Sequence, residues 1–255
     1  MQQFPVLISI PHGGTLIPNE LKDKLVIGKR EIFEDIDPFT QNIYDLKDKV
    51  TAVLKTDIAR TFVDLSRSTN DLPPKNPDGI IKSHTCFGKI IYKEHQQPDE
   101  ALIKLLLKKY YLPFHDELKD AIEKNKSSLN FCLDCHTMEA VGPAISPDSG
   151  KERPLICLGN RFGEAAPNQL IEKIRLSFIK IFKLNESDVT VNKPFAGGFI
   201  TRYYGNNPLP WVQIEMNRLL YLKEPYFNSA SLQISEERLR ELNDKFALVL
   251  KNIFS

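Results

Sequence analysis

Short apolar runs alternate along the chain with longer segments in which apolar residues recur every three or four positions. The short runs are typical of buried strands, and the longer segments are typical of helices with one face on a core. The predicted strands cover residues 6–10, 51–55 with 62–64, 131–134, 155–159, 189–191 and 212–215. The predicted helices cover residues 40–49, 98–125, 168–182 and 235–254. Because the two kinds of segment alternate, we expect an α/β fold.

Three long polar segments, 67–88, 138–153 and 194–210, lie between the predicted elements and are rich in Pro, Gly, Asn and Ser. Loops of this length in a compact domain are usually functional or disordered. Each follows a predicted strand or strand end, so we expect them to form the walls of one site. No internal repeat or linker interrupts the pattern, which predicts one domain over residues 1–255.

The composition is that of an ordinary globular protein, with 42% hydrophobic and 26% charged residues. A formal net charge of +1 gives no electrostatic reason to expect a nucleic acid or a membrane surface as partner. No apolar stretch approaches the roughly 20 residues that span a bilayer. The first five residues lack the basic start and apolar segment of a signal peptide, so we expect a cytoplasmic location.

The chain has four cysteines, and we expect them to be reduced because cytosolic thiols rarely form disulfides. Cys132, Cys135 and His136 match the spacing of a haem-attachment motif. We interpret this match as accidental, because the segment reads as a buried strand. The two cysteines are three positions apart, so they should point to opposite faces of the sheet.

Two histidines stand where predicted strands end. His12 follows the first apolar run and precedes two glycines, and His136 closes the run that begins at Phe131. Open α/β sheets bind ligands at the carboxyl ends of their strands, and neutral imidazole is the commonest zinc ligand. Core packing or a turn would explain either histidine alone, but the pair favours a metal site.

Carboxylates for such a site are available in two segments. Asp35 and Asp37 precede a predicted helix, and either could be a third metal ligand or could cap that helix. Glu215 ends an apolar strand, where a carboxylate must pair with a cation or take part in chemistry. A metal hydrolase needs a general base, which makes Glu215 the candidate. The alternative for Glu215 is a buried ion pair with Arg218 or another arginine.

Arginines near the predicted site suggest an anionic ligand, because a guanidinium binds a carboxylate through two parallel hydrogen bonds. Arg60 and Arg67 flank Asp64, which could instead hold them in a structural network. Arg202 follows two adjacent glycines that allow a close backbone approach to a ligand. His115 falls in a helical stretch, where packing is the better explanation.

Taken together, these motifs resemble those of the N-formylglutamate amidohydrolase family. The motifs are IPHGG (10–14), DID (35–37), AR (59–60), DLSR (64–67), PFH (113–115), DCHTM (134–138), ICLG (156–159), GGFITR (197–202) and QIEMNR (213–218). They occur in family order over most of the chain. Ser66 stands where the family pattern has Asn.

The resemblance implies a three-layer α/β/α fold with a mixed central sheet, like that of zinc carboxypeptidases (phosphorylase/hydrolase-like). It implies a zinc amidohydrolase that cleaves N-formyl-L-glutamate, a small anionic N-acyl amino acid, to formate and L-glutamate in histidine degradation. Zinc would be held by His12, His136 and Asp37 in preference to Asp35, with Glu215 as general base. The expected substrate contacts are Arg60, Arg67, Arg202, Gly197, Gly198 and Asn217. The expected supporting residues are Asp35, Asp64, Asp134 and His115.

Two other functions are compatible with the sequence. The first is an amidohydrolase for another acidic N-acyl amino acid or a small amide. The second is a non-catalytic ligand-binding protein on the same fold, which ranks last because both histidines and Glu215 are present. Metal content separates the binding protein from the enzymes, and a panel of substrates separates the two enzymes.

Overall fold

The computed structural model describes residues 3–255, so Met1 and Gln2 of the N-terminal segment lie outside the described residues. A six-stranded sheet in the order β2-β1-β3-β6-β4-β5 forms its centre. The strands are β1 (Phe4–Ile10), β2 (Val50–Lys55), β3 (Phe131–Met138), β4 (Ile156–Gly159), β5 (Val189–Val191) and β6 (Trp211–Asn217). Only the β4–β6 pair among them is antiparallel, so the sheet is mixed, as expected.

Helices cover both faces of this sheet. They are α1 (Lys29–Asp35), α2 (Thr40–Tyr44), α3 (Glu100–Leu106), α4 (Leu112–Asn125), α5 (Asn168–Phe182), α6 (Phe199–Tyr204) and α7 (Glu236–Ile253). A π-helical segment, Leu107–Tyr111, joins α3 to α4, and a two-stranded ribbon of β7 (Phe227–Asn228) and β8 (Gln233–Ile234) precedes α7. No helix within residues 3–255 is long and apolar enough to cross a bilayer.

The alternation of side chains along β1 separates two hydrophobic cores. Val6 and Ile8 join the core that α2, α5 and α7 cover, whereas Leu7 joins the core beneath α4. Cys135 lies in the first core and Cys132 in the second, as the odd spacing of the two cysteines predicts. All four cysteines are free thiols. The three-layer α/β/α architecture is therefore confirmed.

Three element predictions are wrong. Residues 62–64 do not form a strand, because Phe62 donates its backbone N–H to Ala59 in a buried turn. The helix predicted over 40–49 ends at Tyr44, since Asp45 leaves the helical region and accepts a hydrogen bond from the backbone N–H of Lys47. The segment 194–210 is not a continuous loop, because it contains α6, whose Ile200 is buried in the second core.

Two helix boundaries agree closely with the sequence pattern. The helix predicted over 168–182 is α5, with its apolar face on the first core. The last helix begins after Ser235, whose hydroxyl accepts the backbone N–H of Arg238 as an N-cap should. Capping and apolar period are local signals, so they predict these ends well.

Candidate functional site

A cavity of about 1110 Å³ opens at the carboxyl ends of β1 and β3 and extends along β6. The three long polar segments 67–88, 138–153 and 194–210 all contribute residues to its lining. The expectation that they wall one site is therefore confirmed. The cavity lining also contains both predicted histidines and Glu215.

His12, Asp37 and His136 come together at the bottom of this cavity, and all three are buried. The Nδ1 atoms of the two histidines are 3.0 Å apart. Asp37 Oδ2 lies 3.2 Å from the Nδ1 of His136 and 3.5 Å from the Nδ1 of His12. The backbone N–H of Asp37 donates a 3.1 Å hydrogen bond to the His12 carbonyl, which holds the segment after α1 against the segment after β1. The structure thus selects Asp37 rather than Asp35 as the carboxylate of this group.

The three donor atoms fit a divalent cation such as zinc. Tetrahedral ligands at the usual zinc distance of about 2.0–2.1 Å are about 3.3 Å from one another, close to the spacings of 3.0–3.5 Å found here. Two imidazoles and one carboxylate are also the donor types that zinc prefers. Three protein ligands leave a fourth position for water or substrate, as catalytic zinc sites do.

Each histidine is oriented by a carboxylate on its other ring nitrogen. Asp64 Oδ1 lies 2.7 Å from the Nε2 of His12 in a hydrogen bond. Asp134 Oδ1 lies 3.0 Å from the Nε2 of His136, a close ion pair whose angle falls outside hydrogen-bond geometry. The other oxygen of Asp134 accepts a 3.0 Å hydrogen bond from the Thr201 hydroxyl. These carboxylates turn both Nδ1 atoms toward the same point, which is the arrangement around metal-bound histidines.

Asp37 is held as an anion by its surroundings. Burial opposes its ionisation, but hydrogen bonds with His12 and His136 outweigh the burial and hold the pKa of Asp37 well below its usual range. Arg218 Nη2 lies 3.3 Å from Asp37 Oδ1, and Arg60 Nη1 lies 3.6 Å from the same oxygen. A carboxylate kept ionised in this way is ready to bind a cation.

Glu215 stands directly across from His136 in the paired strands β6 and β3. Burial raises the pKa of Glu215 to about 7, although the nearby His136 partly opposes the shift. Arg218 pairs with Asp37 and Glu139 instead, so the alternative of a Glu215–Arg218 ion pair is wrong. The carboxyl group therefore lines the cavity with a proton affinity suited to exchange near neutral pH.

Gln213 is a site residue that the sequence analysis missed. It precedes Glu215 by two positions, so both side chains lie on the same face of β6. Its Nε2 donates a 2.7 Å hydrogen bond to Glu215 Oε1, and its carbonyl oxygen accepts the backbone N–H of Gly198. The period of two along the strand was a signal that could have found it.

Arg60 and Arg67 line the cavity but are already bound by protein carboxylates. Arg60 Nη2 donates to Asp64 Oδ2 at 2.9 Å, and Arg67 Nη2 donates to Asp78 Oδ2 at the same distance. Arg67 Nε also lies 3.7 Å from Asp64 Oδ2. The structure therefore favours the second of the two predicted roles for Arg60 and Asp64, a structural network between them, over a direct substrate contact by Arg60.

Arg202, Gly197 and Gly198 also line the cavity, as predicted. Gly197 has a φ of 124°, a conformation that side-chain-bearing residues rarely adopt. Arg202 projects from α6 and its guanidinium carbon lies 6.0 Å from the ring centre of Phe199. This wall combines a glycine backbone conformation with a cationic side chain.

The structure does not bring Asn217 to the cavity, because its side chain is fully buried and already hydrogen bonded. Its amide nitrogen donates to the carbonyls of Arg153 and Pro154, at 3.1 and 3.0 Å. Its oxygen accepts the backbone N–H of Leu219 at 2.9 Å. Asn217 therefore shapes the end of β6 and does not line the cavity in which a substrate contact was expected.

Two other expected supporting residues have structural partners. Asp35 lines the cavity but binds the buried Lys82 at 3.0 Å and the backbone N–H of Cys86 at 2.6 Å. His115 lies outside the cavity lining, between the Tyr204 hydroxyl at 2.9 Å and the Leu65 carbonyl at 3.0 Å. Packing was the preferred explanation for His115, and the structure agrees with it.

The model of the N-formylglutamate amidohydrolase family matches residues 4–222 of this chain. The chain belongs to the N-formylglutamate amidohydrolase family. An N-formylglutamate deformylase of Pseudomonas putida is 28% identical to it over 229 residues, which are 87% of this chain and 83% of the relative. The resemblance drawn from the ordered motifs is therefore confirmed.

Solved structures share the fold of this amidohydrolase family member. An N-formylglutamate amidohydrolase from Ralstonia eutropha JMP134 superposes with a TM-score of 0.81 at 19% identity, over 100% of this chain and 94% of the other. A gene product of Agrobacterium tumefaciens superposes with a TM-score of 0.70 at 16% identity, over 98% and 90% of the two chains. At these identities the likeness concerns the fold alone.

Proposed function

We propose that the protein is a metal-dependent amidohydrolase that cleaves N-formyl-L-glutamate to formate and L-glutamate. The observation that carries this proposal is the buried group of His12, Asp37 and His136 beside Glu215 in one cavity. The choice of N-formyl-L-glutamate as substrate rests on the name of the Pseudomonas putida relative, an N-formylglutamate deformylase. The proposal includes a cytoplasmic role in histidine degradation.

His12, Asp37 and His136 would hold one divalent ion, and zinc fits these donors. Such an ion, when bound, supplies Lewis acidity toward an amide carbonyl and toward water. Asp64 and Asp134 fix the rings so that both Nδ1 atoms would be available to a bound ion. Asp37 brings one negative charge, so the site favours a cation over a neutral ligand.

Glu215 would move the proton in the reaction. It takes a proton from the attacking water as the new C–O bond forms, and it returns that proton to the amine nitrogen as the C–N bond breaks. A carboxyl with a pKa of about 7 can do both near neutral pH. Gln213 holds Glu215 Oε1, which leaves Oε2 as the oxygen for the proton.

The size of the cavity supports a second candidate in the same class. Its volume of about 1110 Å³ lies just above the range of about 300–1,000 Å³ for sites that hold drug-sized ligands, and N-formylglutamate is smaller than those ligands. A larger acidic N-acyl amino acid would fill more of this space. The second candidate is therefore an amidohydrolase for such a substrate.

The test is metal analysis of the purified protein together with formate release from N-formyl-L-glutamate before and after chelation. We expect about one metal ion per chain, loss of formate release on chelation and recovery with added zinc. Acetate release from N-acetyl-L-glutamate, measured beside it, decides between the two candidates. A metal-loaded protein that hydrolyses neither substrate would contradict the proposal.

A further inference from the structure

Six arginines line the cavity, and they differ in what neutralises them. Protein carboxylates bind four of them at 3.3 Å or less: Arg60 with Asp64, Arg67 with Asp78, Arg153 with Asp148, and Arg218 with Asp37. Arg161 and Arg202 differ from these four. Within residues 3–255, the nearest carboxylate oxygen to Arg161 is that of Glu164 at 3.8 Å, on a side chain that is 75% exposed. For Arg202, no carboxylate lies within 4.0 Å in the described part of the chain.

Arg161 follows β4, and its side chain lies against Gly197 in the wall of the cavity. Its backbone N–H donates a 2.7 Å hydrogen bond to the carbonyl of Ala196. A Cβ atom at Gly197 would lie 3.1 Å from both Cγ and Cδ of Arg161, so the side chain passes over this glycine in close contact. Its Nε is buried and has no hydrogen-bond partner among the described residues. A buried, unsatisfied N–H of a cation calls for an acceptor from a ligand.

The backbone holds Arg161 in this position at a conformational cost. Arg161 and Phe162 have φ values of 54° and 56°, in the left-handed region that non-glycine residues avoid. Asn160, which is fully buried, anchors the turn by donating to the Ala166 carbonyl at 2.9 Å and to Asn168 Oδ1 at 3.0 Å. The backbone from which the Arg161 side chain extends is therefore fixed by the fold.

Arg202 lies near the adjacent Gly198, in the first turn of α6. Its backbone N–H donates a 3.0 Å hydrogen bond to the Gly198 carbonyl in the first turn of α6. Arg161 and Arg202 thus flank the adjacent residues Gly197 and Gly198, and both line the cavity. Two arginines in the same cavity wall, neither bound tightly by a protein carboxylate, match an anion with several acceptor oxygens.

We infer that Arg161 and Arg202 form a subsite for the side-chain carboxylate of an acidic N-acyl amino acid. This inference rests on the proposed function, because it names the substrate class of the same cavity. It adds Arg161, which no motif of the sequence singled out, as a residue that determines specificity. Arg60 and Arg67, with their carboxylate partners, then belong to the framework of the site.

The test compares two substrates of the same shape, N-formyl-L-glutamate and its neutral analogue N-formyl-L-glutamine. We expect the unmodified protein to prefer the acidic substrate in kcat/KM by about a hundredfold or more, because the neutral analogue leaves the arginines unpaired. Arg161→Met should reduce this preference at least tenfold. It should change kcat/KM for the neutral substrate by no more than about twofold. Arg161→Lys should retain part of the preference.

Arg153→Met is the matched control, since Arg153 lines the same cavity but is bound by Asp148. This variant should alter kcat/KM for the two substrates by the same factor. An unchanged preference in Arg161→Met, with a melting temperature equal to that of the unmodified protein, would overturn the inference. An equal loss of preference in Arg153→Met would also overturn it, because the effect would then come from the net charge of the cavity.

Calorimetric titration with L-glutamate and L-glutamine separates this inference from the proposed function. If the protein releases no formate, but binds L-glutamate more tightly than L-glutamine only when Arg161 is present, the subsite stands and the deformylase proposal fails. If formate release is normal and neither preference depends on Arg161, the proposed function stands and the subsite is wrong.

Discussion

His12 and His136 each use both nitrogens of the imidazole ring. One nitrogen meets a buried aspartate and the other faces the point shared with Asp37. Burial of so many ionisable groups is costly unless each has a partner of opposite charge. A bound cation would neutralise the negative charge at this point, so the site and the ion stabilise each other.

The first prediction concerns the metal. His12→Ala and His136→Ala should each reduce bound metal from about one ion per chain to a small fraction, because two protein ligands rarely retain zinc. Far-ultraviolet circular dichroism should show that both variants remain folded. His95→Ala is the control, since the side chain of His95 is 89% exposed and does not line the cavity. Full metal content in both site variants would show that the ion lies elsewhere.

The second prediction concerns the general base. Glu215→Gln preserves the shape of the side chain but cannot accept a proton. It should keep its metal and lower kcat by about two orders of magnitude or more, as loss of a general base usually does. Glu94→Gln, at a position that is 89% exposed and outside the cavity lining, should keep normal turnover. If metal-loaded Glu215→Gln turns over normally, another group moves the proton.

At the scale of elements, α4 carries a histidine whose protonation is linked to folding. His115 is buried, and burial lowers its pKa to about 4, although its hydrogen bond to the Leu65 carbonyl partly opposes the shift. In the unfolded chain the pKa returns to about 6.5. Between these values the unfolded chain binds a proton that the folded protein does not bind. Acid therefore favours unfolding in this range.

The third prediction follows from that difference. The contribution of His115 to stability is fully present above about pH 6.5 and is lost as the pH falls toward 4, up to about 3 kcal/mol. His115→Gln should therefore weaken the pH dependence of the unfolding free energy in this range, measured by urea denaturation. His95→Gln, at an exposed site, should leave the dependence unchanged. A pH dependence that is the same in all three proteins would show that His115 is not responsible.

The site residues that the sequence predicted best lie in or just after parallel strands. His12 and His136 were found because apolar runs mark β1 and β3, and parallel neighbours end at the same edge of the sheet. Arg161 was missed because it follows β4, which runs antiparallel to β6. Strand direction depends on long-range pairing, so no local sequence pattern could predict at which edge of the sheet Arg161 lies.

At the scale of the whole molecule, apolar period and caps predicted most elements and the α/β class, and the family resemblance predicted the three layers. The pattern could not tell a buried turn from a strand at residues 62–64, because both bury their apolar side chains. It also could not reveal that Asn217 points into the protein, since polar residues near a strand end look alike in sequence. Tertiary packing decides both cases.

The family match ends at residue 222, yet α7 lies beyond it and completes the first core. Six side chains of α7 are buried: Leu239, Leu242, Phe246, Val249, Leu250 and Ile253. At about 1.5–3 kcal/mol for each buried side chain, their burial is comparable to the whole stability of a typical domain, about 5–15 kcal/mol. The segment that matches the family therefore depends, for one of its two hydrophobic cores, on a helix that lies outside the match.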